Sequence, residues 1–249
     1  MNSTEFSGKA AFITGAGSGI GAATATLLAE RGAAVAIFGR RKDKLDDVTA
    51  RIRQSGGRAL AVPGDVGVPS DVERAIDNAV AEFGALHYGV NNAGMSGYFE
   101  GVADLSIEHW REVINVNLSG LFYSMKYEIG PILAAGGGAI VNVSSVFADR
   151  GGPSSDYSSA KHAIRGLTRT AAKDYAERGI RVNELQPGII DTELTRANPD
   201  GTQAVADRGI PLKRVGSAWE AATAIAFLLS DDASYITGAH LAVDGGFLA

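Results

Sequence analysis

The chain has 249 residues, of which 45% are hydrophobic and 20% charged, and its formal net charge is −5. This length has room for one large α/β domain or two small domains. The acidic balance, with no basic tract beyond residues 40–42, argues against a nucleic-acid partner, and the lack of any cysteine excludes disulfides, thiolate catalysis and cysteine-ligated zinc.

Short apolar runs alternate along the chain with longer segments of helical periodicity. The apolar runs predict seven strands, at residues 10–14, 34–38, 59–62, 86–90, 139–143, 180–185 and 241–243. The helical patterns lie at residues 20–31, 43–54, from 70 onward, from 106 to about 133, 156–177 and 217–229.

Several helix ends carry recognisable signals. Ser70 with Glu73, and Ser217 with Glu220, have the spacing of a capping box, in which the serine and the glutamate each bond the other's backbone N–H. Pro131 is expected to end the long helix that starts at Ser106, because proline lacks the N–H that a helix interior needs.

Repeated strand–helix–strand order predicts a parallel sheet with helices on both faces. We find no linker and no internal repeat, so the prediction is a single Rossmann-type doubly wound domain over residues 1–249 with a seven-stranded sheet. Ligands of such sheets bind beyond the carboxyl ends of the strands. The residues that directly follow each apolar run are therefore the candidates for a site.

A glycine-rich segment, TGAGSGIG at residues 14–21, follows the first strand and precedes a helix. Glycines there allow a tight turn and let a pyrophosphate approach the first N–H groups of the helix. The spacing is T-G-x-x-x-G-x-G rather than G-x-G-x-x-G. We interpret it as a nucleotide phosphate site; a plain glycine-rich turn is the alternative.

Tyr157 and Lys161 stand four residues apart in DYSSAKHAIRG, which places them on one face of a helix. One such pair has little weight by itself, but it occurs here with a set of other motifs. NNAG follows the fourth strand, NVNLSG lies in the next helix, VNVSS ends the fifth strand, and PG with a nearby threonine follows the sixth. In this order the motifs resemble those of the short-chain dehydrogenase/reductase family over residues 7–247.

The resemblance implies hydride transfer between nicotinamide C4 and a carbonyl or alcohol carbon. In that reaction Tyr157 is the general acid/base, and Lys161 lowers the pKa of its phenol and bonds the cofactor ribose. Ser145 holds the substrate oxygen, although Ser144 is a possible substitute, and either serine could instead bond backbone. Asn117, rather than Asn115, would hold a water that links Lys161 to solvent.

The resemblance also implies a cofactor-binding set. Asp65 accepts from the adenine amino group, unless it only caps a turn; Asn91 braces the ribose side, and Gly94 leaves room for it. The threonine and isoleucine after the sixth strand meet the carboxamide. The full predicted set is Gly15, Ser18, Gly19, Ile20, Gly21, Arg40, Arg41, Asp65, Val66, Asn91, Ala93, Gly94, Tyr157, Lys161, Pro187, Gly188, Ile190 and Thr192.

The end of the second strand indicates the cofactor. NAD-dependent relatives place a carboxylate there to bond the ribose hydroxyls, whereas this chain has Gly39 followed by Arg40, Arg41 and Lys42. Guanidinium groups suit a 2′-phosphate. We predict NADP(H), with Arg40 as the leading contact and Arg41 second; NAD(H) is the less favoured cofactor, and a solvated basic helix start is the alternative.

The substrate is predicted only as a small, moderately apolar ketone or secondary alcohol. Candidate pocket residues are Ser96, Tyr98, Phe147 and Gln186, with residues 194–215 as a polar, mobile lid. A 3-oxoacyl-thioester of acyl-carrier protein is the runner-up substrate, because PILAAGGGA before the fifth strand lacks the basic residues that dock a carrier. The sequence also permits two different functions, a non-catalytic cofactor-binding regulator and a nucleotide-sugar epimerase or dehydratase.

Partners and location follow from composition and from the resemblance. The start MNSTEFSGKAAFITG lacks a signal-peptide pattern, and no apolar run approaches the roughly 20 residues that cross a bilayer. We expect a cytoplasmic protein with no membrane partner, and the family implies a homotetramer. The four histidines are scattered without metal-ligand spacing, so no metal site is predicted.

Overall fold

The computed structural model describes residues 4–196 and 199–249. Strands form where short apolar runs, rich in alanine and β-branched residues, lie between glycine or polar turns. In chain order they are β1 (Ala10–Thr14), β2 (Ala34–Gly39), β3 (Arg58–Pro63), β4 (Tyr88–Asn91), β5 (Gly138–Val143), β6 (Ile180–Pro187), β7 (Ile190–Asp191), β8 (Gly216–Ser217) and β9 (His240–Val243).

Seven of these strands form one parallel sheet in the order β3-β2-β1-β4-β5-β6-β9, which confirms the predicted fold class. Ile13 in β1 pairs with Ile37 on one side and with Val90 on the other. Strands β1 to β3 are added toward one edge of the sheet, and β4 and the later strands are added on the other side of β1. The topological switch point therefore lies between β1 and β4. β7 and β8 form a separate two-stranded parallel pair that was not predicted.

Helices connect the strands on both faces. Those of the described residues are α1 (Gly19–Glu30), α2 (Lys42–Gln54), α3 (Pro69–Phe83), α4 (Ile107–Ile114), α5 (Gly120–Ala134), α6 (Ser155–Tyr175), α7 (Glu193–Arg196), α8 (Pro199–Gly209) and α9 (Ala218–Leu229). A π-helical segment, Asn115–Ser119, joins α4 to α5, so the predicted long helix contains a local change of winding.

Two apolar layers explain why β1 is buried at every position. Ile13 points into the core shared with α1, α2 and α9, whereas the adjacent Phe12 points into the core shared with α3, α5 and α6. Both side chains are fully buried. A parallel strand covered on both faces is therefore a continuous apolar run rather than an alternating one.

Two of the predicted helix ends differ in the structure. α3 begins at Pro69 with Val68 as its N-cap, so Ser70 lies inside the first turn and the capping box with Glu73 does not form. Proline at the first helical position fixes φ at a helical value and starts the helix one residue earlier. The box of Ser217 and Glu220 at α9 is present, with both reciprocal bonds, and confirms that prediction.

Pro131 does not end the long helix. It lies inside α5, which continues to Ala134, and the chain turns at Gly136 and Gly137, whose φ angles are +90° and +111°. The left-handed backbone needed there favours glycine. At its other end the helix begins as expected, because Ser106 Oγ accepts from His109 N at 3.0 Å.

The predicted lid, residues 194–215, is more structured than a loop, since it includes most of α7 and all of α8. Residues 197 and 198 of this segment lie outside the described residues. Within the described chain, none of the helices combines the length and the hydropathy that crossing a membrane requires.

Candidate active site

A cleft of about 510 Å³ opens at the carboxyl ends of the strands, beside the switch point. The predicted residues that line it are Gly15, Ser18, Gly19, Ile20, Arg41, Ala93, Gly94, Ser145, Tyr157, Lys161, Pro187, Gly188, Ile190 and Thr192. An adjoining cavity of about 180 Å³ is lined by Arg40, Asp65 and Val66. The remaining three, Gly21, Asn91 and Asn117, line neither cavity.

The glycine-rich turn after β1 is shaped by close packing between protein segments. Gly15 has a φ of +66°, and a Cβ there would lie 2.9 Å from the Cα of Ala93. A Cβ at Gly21 would lie 2.6 Å from Nδ2 of Asn92. These two glycines let α1 begin directly against the chain that follows β4, which brings the turn and that loop to the same cleft.

The N-terminus of α1 has the features of an anion site. Ser18 is its N-cap but makes no capping bond through its side chain, and the first turn contains no acidic residue. The first N–H groups of a helix lack intrahelical partners, and those of Gly19 and Ile20 belong to residues that border the cleft. A dinucleotide pyrophosphate fits this position chemically.

The two asparagines of NNAG have different places, and the expectation for Asn91 is wrong. Its side chain is buried and Nδ2 donates to Glu128 Oε2 at 3.1 Å and to Asn142 Oδ1 at 3.0 Å, so it faces the core rather than the ribose side of the cleft. Asn92 borders the cleft instead, with Nδ2 donating to Thr14 O at 3.0 Å. Side chains alternate along a strand, so one residue decides which asparagine faces the ligand.

Tyr157 lies in the first turn of α6, half-buried on the wall of the cleft. Phe147 packs edge-on against its ring with centroids 6.5 Å apart, and Nζ of Lys161 lies 5.4 Å from the ring centroid. Burial raises the pKa of Tyr157, and the hydrogen bond with Ser145 opposes that rise. The ammonium of Lys161 lies over the phenol ring and hydrogen-bonds a backbone carbonyl instead of the phenol hydroxyl.

Lys161 is almost fully buried, with 4% of its surface exposed. Its Nζ donates to the carbonyl oxygen of Val143 at 3.1 Å, which ties the helix to the end of β5. Burial lowers the pKa of Lys161 to about 8, and the negative charge of Glu184 opposes this. The side chain therefore gives up its proton more readily than an exposed lysine does.

Asn117 lies in the π-helical segment and is fully buried. Its Oδ1 accepts from Met95 N at 3.0 Å and its Nδ2 donates to Met95 O at 3.1 Å, so its amide bonds backbone. Asn117 nevertheless lies next to the cleft. A Cβ built on Gly94, which lines the cleft, would lie 2.7 Å from Asn117 Oδ1 and 3.7 Å from Lys161 Nζ. π-Bulges of this kind recur at functional sites. Asn115 is directed elsewhere, toward Gly67 O at 3.4 Å.

Ser144 and Ser145 differ in their hydrogen-bond partners. Ser144 also borders the cleft, but its Oγ donates to the buried carboxylate of Glu184. Ser145 Oγ accepts from Phe147 N at 3.3 Å and lies close enough to Tyr157 to oppose the rise in the pKa of its phenol. Ser145 is therefore the serine beside the phenol, while still serving as a local cap.

The adjoining cavity has the predicted residues for the far end of a dinucleotide. Asp65 Oδ1 accepts from Gly67 N at 2.9 Å, so the turn-capping role is realised while the residue still borders the cavity. Arg41 Nη2 bonds Glu193 Oε2 at 2.7 Å and Ser18 Oγ at 3.1 Å. Arg40 is exposed and forms no ion pair within residues 4–196 and 199–249.

The turn after β6 borders the cleft on its opposite side. A Cβ at Gly188 would lie 2.7 Å from the Cα of Asp244, so this glycine is required by contact with the chain after β9. Thr192 N donates to Thr195 Oγ1 at 2.9 Å. A Cβ at Gly19 would lie 3.0 Å from Thr192 Cγ2, so this turn and the glycine-rich turn face each other across a narrow gap.

The substrate side of the cleft is partly as expected. Phe147 contacts both Tyr157 and Phe247, whose ring centroid lies 6.3 Å from that of Phe147. Tyr98 stacks on His109 and donates to a glutamate of α4 instead of facing the cleft. Gln186, the last of the predicted pocket residues, is fully buried.

Several residues near the site were missed by sequence reasoning. Asn92 is the second residue of NNAG and could have been found by following strand alternation one residue further, and Met95 directly follows that motif. No sequence motif near Glu193 or Phe247 indicates a role in the site, because the folding of the chain brings both residues to it from distant positions. Across the described residues, no three His, Asp or Glu side chains are grouped so as to hold a metal ion.

Comparison with known proteins gives consistent matches over the whole chain. A family model described as enoyl-(acyl carrier protein) reductase matches residues 15–248. The cyclohexanol dehydrogenase of Acinetobacter sp. is 46% identical over 246 residues, covering 98% of this chain and 97% of the relative. The cis-4-hydroxycyclohexanecarboxylate dehydrogenase of Sinomonas cyclohexanicum is 46% identical over 245 residues, covering 98% of each. A 3-oxoacyl-(acyl-carrier-protein) reductase of Staphylococcus epidermidis is 37% identical over 240 residues, covering 96% and 98%.

Solved structures of similar proteins match the fold of this chain over nearly its whole length. The crystal structure of levodione reductase superposes with a TM-score of 0.92 at 33% identity, covering 97% of this chain and 98% of that one. A short-chain dehydrogenase from Burkholderia cenocepacia, solved in complex with NADP, superposes with a TM-score of 0.92 at 33% identity, covering 98% and 100%.

Proposed function

The chain belongs to the short-chain dehydrogenase/reductase family, and from that premise we propose that it transfers hydride between NADP(H) and a cyclic secondary alcohol or ketone. The observation that carries the proposal is the convergence of Ser145, Tyr157 and Lys161 on one cleft, beside a helix N-terminus suited to a pyrophosphate. A nicotinamide bound there supplies or accepts the hydride at its C4. The protein's own contribution is to hold the substrate oxygen and to move its proton.

Tyr157 is proposed as the general acid/base. In alcohol oxidation its phenolate takes the hydroxyl proton as the hydride leaves carbon, and in ketone reduction its phenol returns it. Ser145, which lines the same cleft next to this phenol, is proposed to fix the substrate oxygen. Lowering a phenol pKa from about 10 to neutrality takes roughly 4 kcal/mol. Because burial acts in the opposite direction, Lys161 and a cationic nicotinamide must supply the difference together.

The preference for NADP(H) is supported by the charges at the end of β2. Arg40 is exposed beside the adjoining cavity and is not engaged in an ion pair within the described ranges, so it is available to a 2′-phosphate. Arg41 is already paired with Glu193, which makes it the second contact. A guanidinium–phosphate contact is a strong, directional interaction that NAD(H) cannot offer.

The cofactor proposal is tested by comparing kcat/KM for NADPH and NADH in wild type and Arg40→Ala. We expect wild type to prefer NADPH. In the variant, kcat/KM should fall about tenfold with NADPH and stay unchanged with NADH, because one charge-assisted contact contributes about 1.4 kcal/mol. Arg58→Ala, which removes an exposed arginine at the start of β3, is the control. A wild-type preference for NADH overturns the proposal.

A cyclic substrate is supported by the relatives and by the shape of the cleft. Met95 borders the cleft, and Phe147 with Phe247 forms an aromatic wall next to Tyr157. Two relatives at 46% identity act, by name, on cyclohexanol and a hydroxycyclohexane carboxylate. An apolar six-membered ring suits such a wall because its burial needs no polar partner.

The function is tested by following NADPH oxidation with a panel of ketones that includes cyclohexanone and an acetoacetyl thioester, and by following the reverse reaction with cyclohexanol. We expect turnover of the cyclic ketone by wild type and a loss of at least about a thousandfold in Tyr157→Phe. Faster turnover of the thioester would favour the carrier-protein reductase represented by the relative at 37% identity. Binding of NADPH without turnover of any carbonyl would favour a regulator.

We further propose a cytoplasmic homotetramer, as the family implies. Exposed aromatic residues on the helical surface, such as Trp110 and Phe122, support an interface that covers them. Light scattering after gel filtration should give about four times the chain mass of 25.8 kDa. A mass equal to one chain would contradict this.

A further inference from the structure

A charged cluster around one buried carboxylate lies next to the strand end that carries Ser145. Glu184 on β6 is 1% exposed and accepts a hydrogen bond from Ser144 Oγ. Arg165 on α6 donates through Nε to the same carboxylate at 3.3 Å and through Nη1 to Asp149. The cluster therefore links the end of β5, the helix of the Tyr157 and Lys161 pair, and β6.

This cluster is positioned to act on the catalytic groups. Ser144 precedes Ser145, so the carboxylate bond holds the strand end that presents the catalytic hydroxyl. Arg165 stands one helical turn after Lys161 on the same face of α6. Lys161 Nζ donates to the carbonyl oxygen of Val143 at 3.1 Å, and the next residue, Ser144, donates to Glu184, so the ammonium and the carboxylate hold adjacent residues of one strand end.

Stability alone does not explain a carboxylate at this position. Taking a charge out of water costs several kcal/mol, and a buried ion pair replaced by apolar residues of similar volume is often no less stable. The neighbouring positions of β6 on this face of the sheet include Val182, which packs into the apolar core. A carboxylate retained at the strand end that also binds the ammonium of Lys161 points to a role in the reaction.

We propose that Glu184 is a positioning residue whose carboxylate keeps Lys161 in its ammonium form and fixes the end of β5 that carries Ser145. The inference rests on the proposed function, since it assigns the electrostatics of that site. It also explains how an ammonium with so little access to water is maintained at neutral pH: the counter-charge comes from the protein interior, and Arg165 and Ser144 hold it in place.

The charged and titratable groups on the elements packed against Lys161 are few. Within five residues of it on its own helix, the titratable side chains are Asp156, Tyr157 and Arg165, together with the exposed His162. The turn after β5 contributes Asp149, and β6 contributes Glu184, whereas Arg181 at the start of β6 bonds the carbonyl oxygen of Leu228. The π-helical segment and the loop at residues 92–97 have no titratable side chain. Asp149 is held ionised by Arg165, whose hydrogen bond lowers the pKa of Asp149 to about 2.

The test is Glu184→Gln, which keeps an acceptor for Ser144 and removes the charge. We expect the pKa of Lys161, followed by NMR of the ¹³Cε-lysine-labelled protein without cofactor, to fall by about one unit, a tenfold change in the protonation equilibrium. The alkaline limb of kcat/KM against pH should move to lower pH by a similar amount. Lys161→Met assigns the resonance.

Asp149→Asn is the matched control, because it removes the other carboxylate bonded to Arg165 and leaves Glu184 in place. It should leave the titration of Lys161 within about 0.3 unit of wild type. Glu184→Asp, which restores a carboxylate, should return the alkaline limb toward the wild-type position. An unchanged titration in Glu184→Gln, or the same shift in Asp149→Asn, overturns the proposal.

Arg165→Gln gives an independent result of opposite sign and decides the matter if Glu184→Gln does not fold. Removing the cation leaves the charge of Glu184 uncompensated, so the pKa of Lys161 should rise; a fall refutes the inference. The proposed function fails separately: it is refuted if wild type turns over no carbonyl, whereas the NMR titration does not depend on turnover.

Discussion

Glu128 offers a quantitative test of the buried polar network behind the cleft. Its side chain is fully buried on α5, packed against the Cα of Gly89, and accepts from Asn91 Nδ2 at 3.1 Å. Burial raises the pKa of Glu128 to about 8, and the hydrogen bond from Asn91 opposes that rise only partly. No ion pair to this carboxyl exists within residues 4–196 and 199–249. The folded protein therefore holds it protonated at neutral pH.

The sign and size of the effect on stability follow from the two pKa values. The unfolded chain ionises Glu128 near its ordinary pKa of 4.5, and the folded chain near 8. Between these values the folded state binds the extra proton, so stability is complete below pH 4.5 and falls as pH rises, by up to about 1.4 kcal/mol per unit. At pH 7 the loss amounts to about 3 kcal/mol.

Glu128→Gln removes the ionisable proton at nearly constant volume. Its free energy of unfolding is measured by urea denaturation from pH 5.5 to 8.5 at one protein concentration. Relative to wild type, we expect this free energy to rise by about 1 kcal/mol for each pH unit up to pH 8. The amide forms less favourable hydrogen bonds than the carboxyl, which changes the free energy of unfolding of the variant by the same amount at every pH. The test is therefore the slope of the difference from wild type against pH. Glu73→Gln, at an exposed position on α3, is the control and should run parallel to wild type. Parallel curves for Glu128→Gln would refute a neutral buried carboxyl.

Three further predictions follow from single contacts. Gly94→Ala places a Cβ 2.7 Å from Asn117 Oδ1, so kcat should fall at least about tenfold while the midpoint of thermal unfolding shifts little. Ser217→Ala removes the capping box of α9 and should lower the free energy of unfolding by about 1 kcal/mol in urea titrations; no change would mean that the cap is redundant. Phe247→Ala should raise KM for cyclohexanone by about tenfold through lost apolar contact, and an unchanged KM would remove the residue from the substrate wall.

The fold was predictable because its signals are local. A buried parallel strand such as β1 is an uninterrupted apolar run, and the turn that follows it needs glycine at position 15, where φ is positive. Both signals can be recognised in a few consecutive residues. The order of the strands then follows from the right-handed connections of a doubly wound sheet.

The parts of the site that were not predicted depend on contacts distant in sequence. Arg41 meets Glu193 from 152 positions away, and Ser144 meets Glu184 from 40 positions away. Neither pairing leaves a pattern in its own segment. The assignment of Asn91 failed for a different reason: its position was right, but its side chain lies on the other face of β4.

The two buried glutamates show how one fold gives the same side chain two different environments. Glu128 meets only an amide, so desolvation decides and its neutral form is favoured. Glu184 meets Arg165 and a serine hydroxyl, so its charge is paired where Lys161 needs a counter-charge. The contrast predicts that only the second affects catalysis through charge. If Glu128→Gln shifted the titration of Lys161 as far as Glu184→Gln does, the buried network would act as one unit, and the assignment of separate roles would be wrong.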